Sequence, residues 1–441
     1  MGDKSSSINR LNSMYPLRAK VNEGYKRVIE AMQNGEPVGW AMVNWWEADP
    51  IFKTMDVQVV YPENYGAVCA TSEAGQNYLD VSDAEGYPTH LCGYSRINYG
   101  YASRMLETGG QIPPEAPLGG MPKPAFLLSN GLMCDARVKW FQALGRYLDA
   151  PVWMMDSATP GVEEWFSSDT QKNVIDFVKK EITGFIAFLE KITGKKFDWD
   201  KYDETINDMI ELCRIVNETF ELRKAVPCPM HSKDFWSTMP SFLFLFGDLK
   251  DTIQCFKNMN SEIQQRIDNK IGAVNPEKYR LIFGDIPPWH SLDFFDRLAE
   301  RGWNFVSESW GYNPPPLPFP SLETIDDPLE RHARFHLHFL TGKYKETLEN
   351  DQYLGYIGYP YLILAEKFKC DGAFWHPLIT CRSASTHHPY VSKLLLEKAK
   401  IPSIVIEGDL VDLRLFDPEE ALVKAETFEE IMDYYKSLRA K

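Results

Sequence analysis

The sequence predicts an α/β protein: two doubly wound parallel-sheet domains with a helical insert or layer between them. Three observations carry this expectation. Short apolar runs of strand length alternate with helix-length segments over residues 36–160, the rhythm of parallel βαβ units. Residues 161–275 change to long amphipathic periodicity, which is helical. The α/β rhythm then resumes over residues 276–441.

Taken in order, residues 1–35 form an N-terminal helical arm whose amphipathic part runs from about Lys20 to Asn34. The first α/β domain has strand-like runs at Val38 to Val43, Asp56 to Tyr61, Ala125 to Ser129 and Pro151 to Met155. Gly119-Gly120-Met121-Pro122 breaks the chain before the third run, and Asp135 to Leu148 reads as helix after it. In the helical region the pattern is clearest over Thr170 to Ile192 and Tyr202 to Lys224. The second α/β domain supplies runs at Arg280 to Gly284, Asn304 to Glu308, Gly372 to Trp375 and Ser403 to Glu407. The proline-rich stretch Asn313 to Pro320 cannot be helix or central strand, so it is expected to cross the surface or reach a partner.

Composition narrows the function. The chain of 441 residues is 44% hydrophobic and 25% charged, enough for sizeable cores without disulfides. With 47 Lys+Arg against 62 Asp+Glu the net charge is −15, which argues against a nucleic-acid surface or an anionic membrane surface. An anionic ligand would need a local basic pocket. The start of the chain lacks the apolar core of a signal peptide, and the longest apolar run, Phe242 to Phe246, is a buried-core candidate rather than a span. A cytoplasmic location is therefore expected, in which the eight cysteines are thiols or metal ligands. No CxxC pair, ferredoxin spacing, P-loop, GxGxxG or GxSxG is present, so zinc ribbons, nucleotide-binding signatures and lipase-like hydrolysis are not indicated.

Three cysteines stand out: Cys92 in Thr89-His90-Leu91-Cys92-Gly93-Tyr94, Cys134 in Ser129-Asn130-Gly131-Leu132-Met133-Cys134-Asp135, and Cys381 in Leu378-Ile379-Thr380-Cys381-Arg382-Ser383. Each is read as lying in a turn between a strand-like and a helix-like run, the edge where open parallel sheets collect ligands. Convergence would let them hold an iron-sulfur cluster with one iron left open. Cys134 precedes a helix start, which favours thiolate and cluster sulfur, and Gly93 would let backbone amides approach inorganic sulfide. The competing reading is that of packed thiols acting as small hydrophobes, and it is the one adopted for Cys69, Cys213, Cys228, Cys255 and Cys370. Spacing leaves open whether Cys370 takes the place of Cys381. His332 and His336 share a helical face, but without an HExxH glutamate they read as packing or surface residues. His387-His388 offers proton or hydrogen-bond donors near Cys381, or else a helix start before Pro389. Arg96, Arg104, Lys123 and Arg137 lie near the cysteine loops and read as solvent-facing.

The order Cys92, Cys134, Cys381, with Asp371-Gly372 before the last and Ile401-Pro402-Ser403-Ile404-Val405-Ile406-Glu407-Gly408-Asp409 after it, resembles the 2-hydroxyacyl-CoA dehydratase and benzoyl-CoA reductase superfamily over most of the chain. Val59 to Cys69 followed by Gly86 to Tyr94 looks most like the larger cluster-carrying subunit of ATP-dependent benzoyl-CoA reductases. That resemblance implies a [4Fe-4S] cluster on Cys92, Cys134 and Cys381, a homologous second cluster-bearing subunit, ATP-hydrolysing activator subunits and ferredoxin as electron source. It implies an aromatic acyl-CoA substrate reduced to a cyclic dienoyl-CoA in single-electron steps. Alternatives are a subunit of a radical 2-hydroxyacyl-CoA dehydratase, and a non-catalytic cluster-bearing electron-transfer subunit.

Overall fold

The computed structural model describes residues 7–131, 134–158, 164–308, 322–349 and 360–440; the proline-rich stretch lies outside them. Two four-stranded sheets organise the chain, as the alternating pattern predicts. The first holds β1 (Val38–Ala41), β2 (Gln58–Val60), β3 (Phe126–Asn130) and β4 (Val152–Met155) in the order β2-β1-β3-β4. The second holds β5 (Tyr279–Gly284), β6 (Trp303–Glu308), β7 (Gly372–Trp375) and β8 (Ser403–Val405) in the order β6-β5-β7-β8. Every pairing is parallel, with Trp40 opposite both Val60 and Leu127, and Phe283 opposite Phe374. Strands β1, β3, β5, β6 and β7 are buried along their whole length, as sheets covered by helices on both faces must be.

The order repeated in both sheets has one consequence for function. The chain moves from the first strand to one side, then returns to the other, so each sheet has a switch point between its two middle strands. Beyond the carboxyl ends of those strands a crevice opens. In the first sheet this is the end of β1 and β3, in the second the end of β5 and β7.

The helices follow in chain order: α1 (Met14–Gln33), α2 (Asp49–Met55), α3 (Pro62–Ala70), α4 (Glu73–Ala84), α5 (Gly93–Glu107), α6 (Ala136–Leu148), α7 (Ser168–Thr193), α8 (Trp199–Leu222), α9 (Ser232–Leu243) and α10 (Leu249–Asp268). After β5 come α11 (Phe294–Glu300), α12 (Pro328–Glu349), α13 (Tyr361–Lys367), α14 (Arg382–Ser385), α15 (His388–Ala399) and α16 (Pro418–Arg439). The long helices begin where short polar side chains cap them: Asp198 accepts from the Lys201 N–H at 3.0 Å and Asp248 from the Asp251 N–H at 3.0 Å. Gly194, at φ 70°, closes α7 in the left-handed conformation open to glycine. Helix α8 packs on α10, and α12 on α7 and α8. Helix α1 packs on α9 and α10, where Arg10 pairs with the buried Asp234.

One hydrophobic core runs from the first sheet through these long helices and onto one face of the second sheet, and another, built on Leu281, Phe283, Phe305, Phe374 and Phe428, fills the other face. The two halves are also clamped by charge. Fully buried Arg96 of α5 donates to Asp412, after β8, at 3.0 Å and also to Asp83 of α4. Arg414 binds Asp412 at 2.7 Å and Asp83 at 3.0 Å.

Candidate functional site

Cys134 and Cys381 stand beyond the carboxyl ends of β3 and β7, one at the switch point of each sheet. Cys92 departs from the expected placement. It lies between α4 and α5, with no strand before it, because Ala74, Tyr78, Leu79 and Ser82 bury one face of a helix at a spacing near 3.6 rather than 2. Cys92 and Cys381 are the residues immediately before α5 and α14, and Cys134 precedes α6 by two positions. All three are free thiols, half-buried.

The loops that carry Cys92 and Cys381 touch. The Gly93 N–H donates to Thr380 Oγ1 at 3.2 Å, and the Thr380 hydroxyl donates to Asp409 Oδ2. Asp409 is fully buried and accepts from the Val411 and Asp412 N–H groups at 3.0 and 2.9 Å. A Cβ at Gly93 would stand 2.6 Å from Val411 Cγ2 and 2.9 Å from Asp409 Oδ1, so only glycine lets the loops approach this closely. The Cys134 loop is fixed by Arg137, which donates to Asn130 Oδ1 at 3.3 Å, to the Val43 carbonyl at 3.2 Å and to both Glu63 oxygens at 3.0 and 3.1 Å. Arg96 and Arg137 are thus buried pairing residues and not the solvent-facing cations expected; Lys123 is exposed, and Arg104 reaches water beside Glu107 and Glu115.

Charge couples the three thiols. Enclosure by protein raises the Cys92 thiol well above its ordinary range, and Cys381 and Cys134 add to the rise. Burial pushes Cys381 up to about 12, with Cys134 and Asp285 adding. Among the described residues no three His, Cys, Asp or Glu side chains close around a single metal ion. Three thiols within electrostatic reach of one another are the soft ligand type that suits an iron-sulfur cluster.

A cavity of about 430 Å³ lies beside the first turn of α5, the helix that Cys92 precedes. Tyr94, two residues beyond Cys92, lines it together with Val43, Glu63, Trp236, Leu243 and Trp289. Glu63 therefore lines the cavity and also lies within electrostatic reach of the Cys92 thiol, whose protonation its charge favours.

The family model of the 2-hydroxyglutaryl-CoA dehydratase D-component matches residues 49–432, which include all three cysteines, Thr380 and Asp409. The chain belongs to this family. Among its relatives, the (R)-2-hydroxyisocaproyl-CoA dehydratase alpha subunit of Clostridioides difficile is 27% identical over 94% of this chain and 95% of its own. The (R)-phenyllactyl-CoA dehydratase alpha subunit of Clostridium sporogenes is 26% identical over 70% of this chain and 72% of its own. A benzoyl-CoA reductase subunit of Thauera aromatica is 23% identical over 97% of this chain and 96% of its own.

Other residues of this D-component family member fall into place by position. Cys370 is buried at the amino end of β7, near Arg280, Asp371 and Cys228, the opposite edge of the sheet from Cys381. His332 packs inside: its Nε2 meets the Trp46 carbonyl at 2.7 Å and its Nδ1 the Tyr202 hydroxyl at 2.6 Å. Since a carbonyl only accepts, Nε2 carries the proton and Nδ1 accepts from Tyr202. His387 lies 3.3 Å from the buried Asp285 and 3.2 Å from the Tyr361 hydroxyl. Sequence reading missed Glu47, fully buried after β1 with neither oxygen hydrogen-bonded among the described residues. Its loop holds Trp45 and Trp46 at φ 56° and 64°, a conformation that costs bulky residues energy and gathers at functional sites. Nothing in the local pattern Asn44-Trp45-Trp46-Glu47 signals that strain. No helix among the described residues is long and apolar enough to cross a membrane.

Proposed function

We propose that the chain is the iron-sulfur subunit of a radical acyl-CoA enzyme, with Cys92, Cys134 and Cys381 holding a [4Fe-4S] cluster. The observation that carries this reading is the contact between the Cys92 and Cys381 loops through Gly93 and Thr380, with Cys134 within electrostatic reach of both. When bound, such a cluster supplies single electrons at low potential. The chain's own residues do the rest. Thr380 and Asp409 set the distance between two ligand loops, Arg137 and Glu63 fix the third, and the cavity beside Tyr94 seats the acyl group away from bulk water.

Dehydration of a 2-hydroxyacyl-CoA is the first reading, supported by relatives named as dehydratase alpha subunits that match most of their length. Reduction of an aromatic acyl-CoA is the second, favoured by the aromatic wall of Tyr94, Trp236 and Trp289 and by the likeness to a benzoyl-CoA reductase chain. Both readings include a second cluster-bearing subunit, an ATP-hydrolysing activator and ferredoxin or a similar one-electron donor as partners. An anaerobic assay of the complex with activator, ATP and reductant separates them: a dehydratase returns its electron and uses reductant catalytically, a reductase consumes it in proportion to product. The ligand assignment itself is tested by iron and sulfide analysis. Undiminished content in Cys92→Ser, Cys134→Ser and Cys381→Ser variants would overturn it.

A further inference from the structure

We propose that Tyr94, backed by Trp289, donates a hydrogen bond to the carbonyl oxygen of an acyl thioester whose acyl group fills the cavity between α1, α3 and α9. The inference rests on the acyl-CoA reading and adds to it the residue that meets the reacting carbonyl.

The hydrogen-bond inventory of one phenol carries the argument. Trp289 Nε1 and Tyr94 Oη are 2.6 Å apart. An indole nitrogen only donates, so Tyr94 accepts there and its own proton must go elsewhere. No acceptor among the described residues takes that proton. Tyr94 is 7% exposed, and a donor this enclosed is normally used. What lies beside it is the cavity that Tyr94 itself lines.

The position of the ring is built in. A Cβ at Gly66 would stand 2.7 Å from Tyr94 Cδ1, so the glycine of α3 makes room for the ring face. Trp289 is held in turn, its backbone N–H donating to the Leu410 carbonyl at 3.1 Å. The wall therefore joins the Cys92 helix to the loop that carries Asp409. Accepting from the indole polarises the phenol and strengthens its outgoing bond, and a donor fixed before reaction favours a carbonyl oxygen as negative charge grows on it. Beyond the phenol, Trp236, Leu243, Phe244 and Ile286 offer apolar surface. A cavity of about 430 Å³ falls within the usual range for small-ligand sites and admits a branched or aromatic acyl group.

The test uses the purified complex containing this chain, without reductant, and benzoyl-CoA or 2-hydroxyisocaproyl-CoA labelled with ¹³C at the thioester carbonyl. Infrared difference spectra report the hydrogen bond to that carbonyl directly. In Tyr94→Phe the carbonyl band is expected to move to higher wavenumber and affinity to fall roughly 2- to 10-fold, the loss of one neutral hydrogen bond. In Trp289→Phe, which keeps the phenol but removes the indole N–H, the band moves the same way by less. This second variant decides the matter if Tyr94→Phe does not assemble. An unmoved band in whichever variants assemble overturns the role of Tyr94 and leaves the acyl-CoA reading standing. Failure of the unaltered complex to bind either thioester overturns that reading, and this proposal with it.

Discussion

The Gly93 N–H donates to Thr380 Oγ1 at 3.2 Å, so residues adjacent to Cys92 and Cys381 meet although 287 positions separate them in the chain. The hydroxyl of Thr380 passes the connection on to the buried carboxylate of Asp409. A single side chain thus spans the two halves of the molecule at the point where the thiols gather. Thr380→Val keeps the shape and removes both bonds, leaving the Gly93 N–H without its partner. A loss of about 1–3 kcal/mol in urea unfolding is expected, while Thr380→Ser stays within about 0.5 kcal/mol of the parent. Equal stability of the valine variant would show that the contact contributes nothing to holding the halves together.

Position along β7 separates two neighbouring cysteines. Cys381→Ser is expected to lower iron and sulfide content, and Cys370→Ala to leave both unchanged, since Cys370 is enclosed at the opposite sheet edge. The raised thiols of Cys92 and Cys381 must also lose protons to ligate. Cluster assembly should therefore release protons and slow as pH is lowered. Loss of iron in the Cys370 variant alone would reverse the assignment.

His332 makes the fold sensitive to acid. Burial lowers its pKa from 6.5 to about 4, so between those values the unfolded chain binds a proton that the folded chain refuses. Its contribution is intact above about pH 6.5 and is lost as pH falls toward 4, by ~3 kcal/mol at ~1.4 kcal/mol per pH unit. Urea unfolding from pH 7 to 4.5 measures the slope. His332→Gln, which can still donate to the Trp46 carbonyl, is expected to flatten it; an unchanged slope would exclude His332 as its source.

Glu47 works in the opposite direction. Burial, with Glu181 and Asp156 adding, raises its carboxyl well above the ordinary range, so the folded state holds a proton that the unfolded chain releases. Stability then declines as pH rises above the usual carboxylate range. Glu47→Gln should be more stable than the parent at pH 8, with the difference vanishing near pH 4. Stability curves of parent and variant that run parallel from pH 4 to 8 would exclude this account.

Arg223 and Glu308 are both fully buried and joined by bonds of 2.7 and 2.6 Å. Arg223→Met leaves the carboxylate uncompensated and should cost about 3–5 kcal/mol, whereas Arg223→Met with Glu308→Leu should recover most of the loss. Denaturation of the single and double variants gives the coupling; additive losses would contradict it.

Local chemistry determined much of this protein from sequence alone. The strand-like runs at Val38, Asp56, Ala125, Pro151, Arg280, Asn304, Gly372 and Ser403 each overlap a strand, because parallel strands buried on both faces must be short and apolar. Capped amphipathic stretches such as Ser168–Thr193 likewise follow from their own periodicity. Cys134 and Cys381 could be placed at strand ends for the same reason. What the tertiary structure decided was everything that depends on partners distant in sequence. Cys92 sits between helices yet meets the Cys381 loop through Thr380. Arg96 and Arg137, ordinary surface cations by type, are buried because Asp412 and Glu63 arrive from elsewhere to pair with them. The Tyr94–Trp289 wall joins residues 195 positions apart. Periodicity records which face of an element turns inward; only the packed chain fixes which inward faces meet.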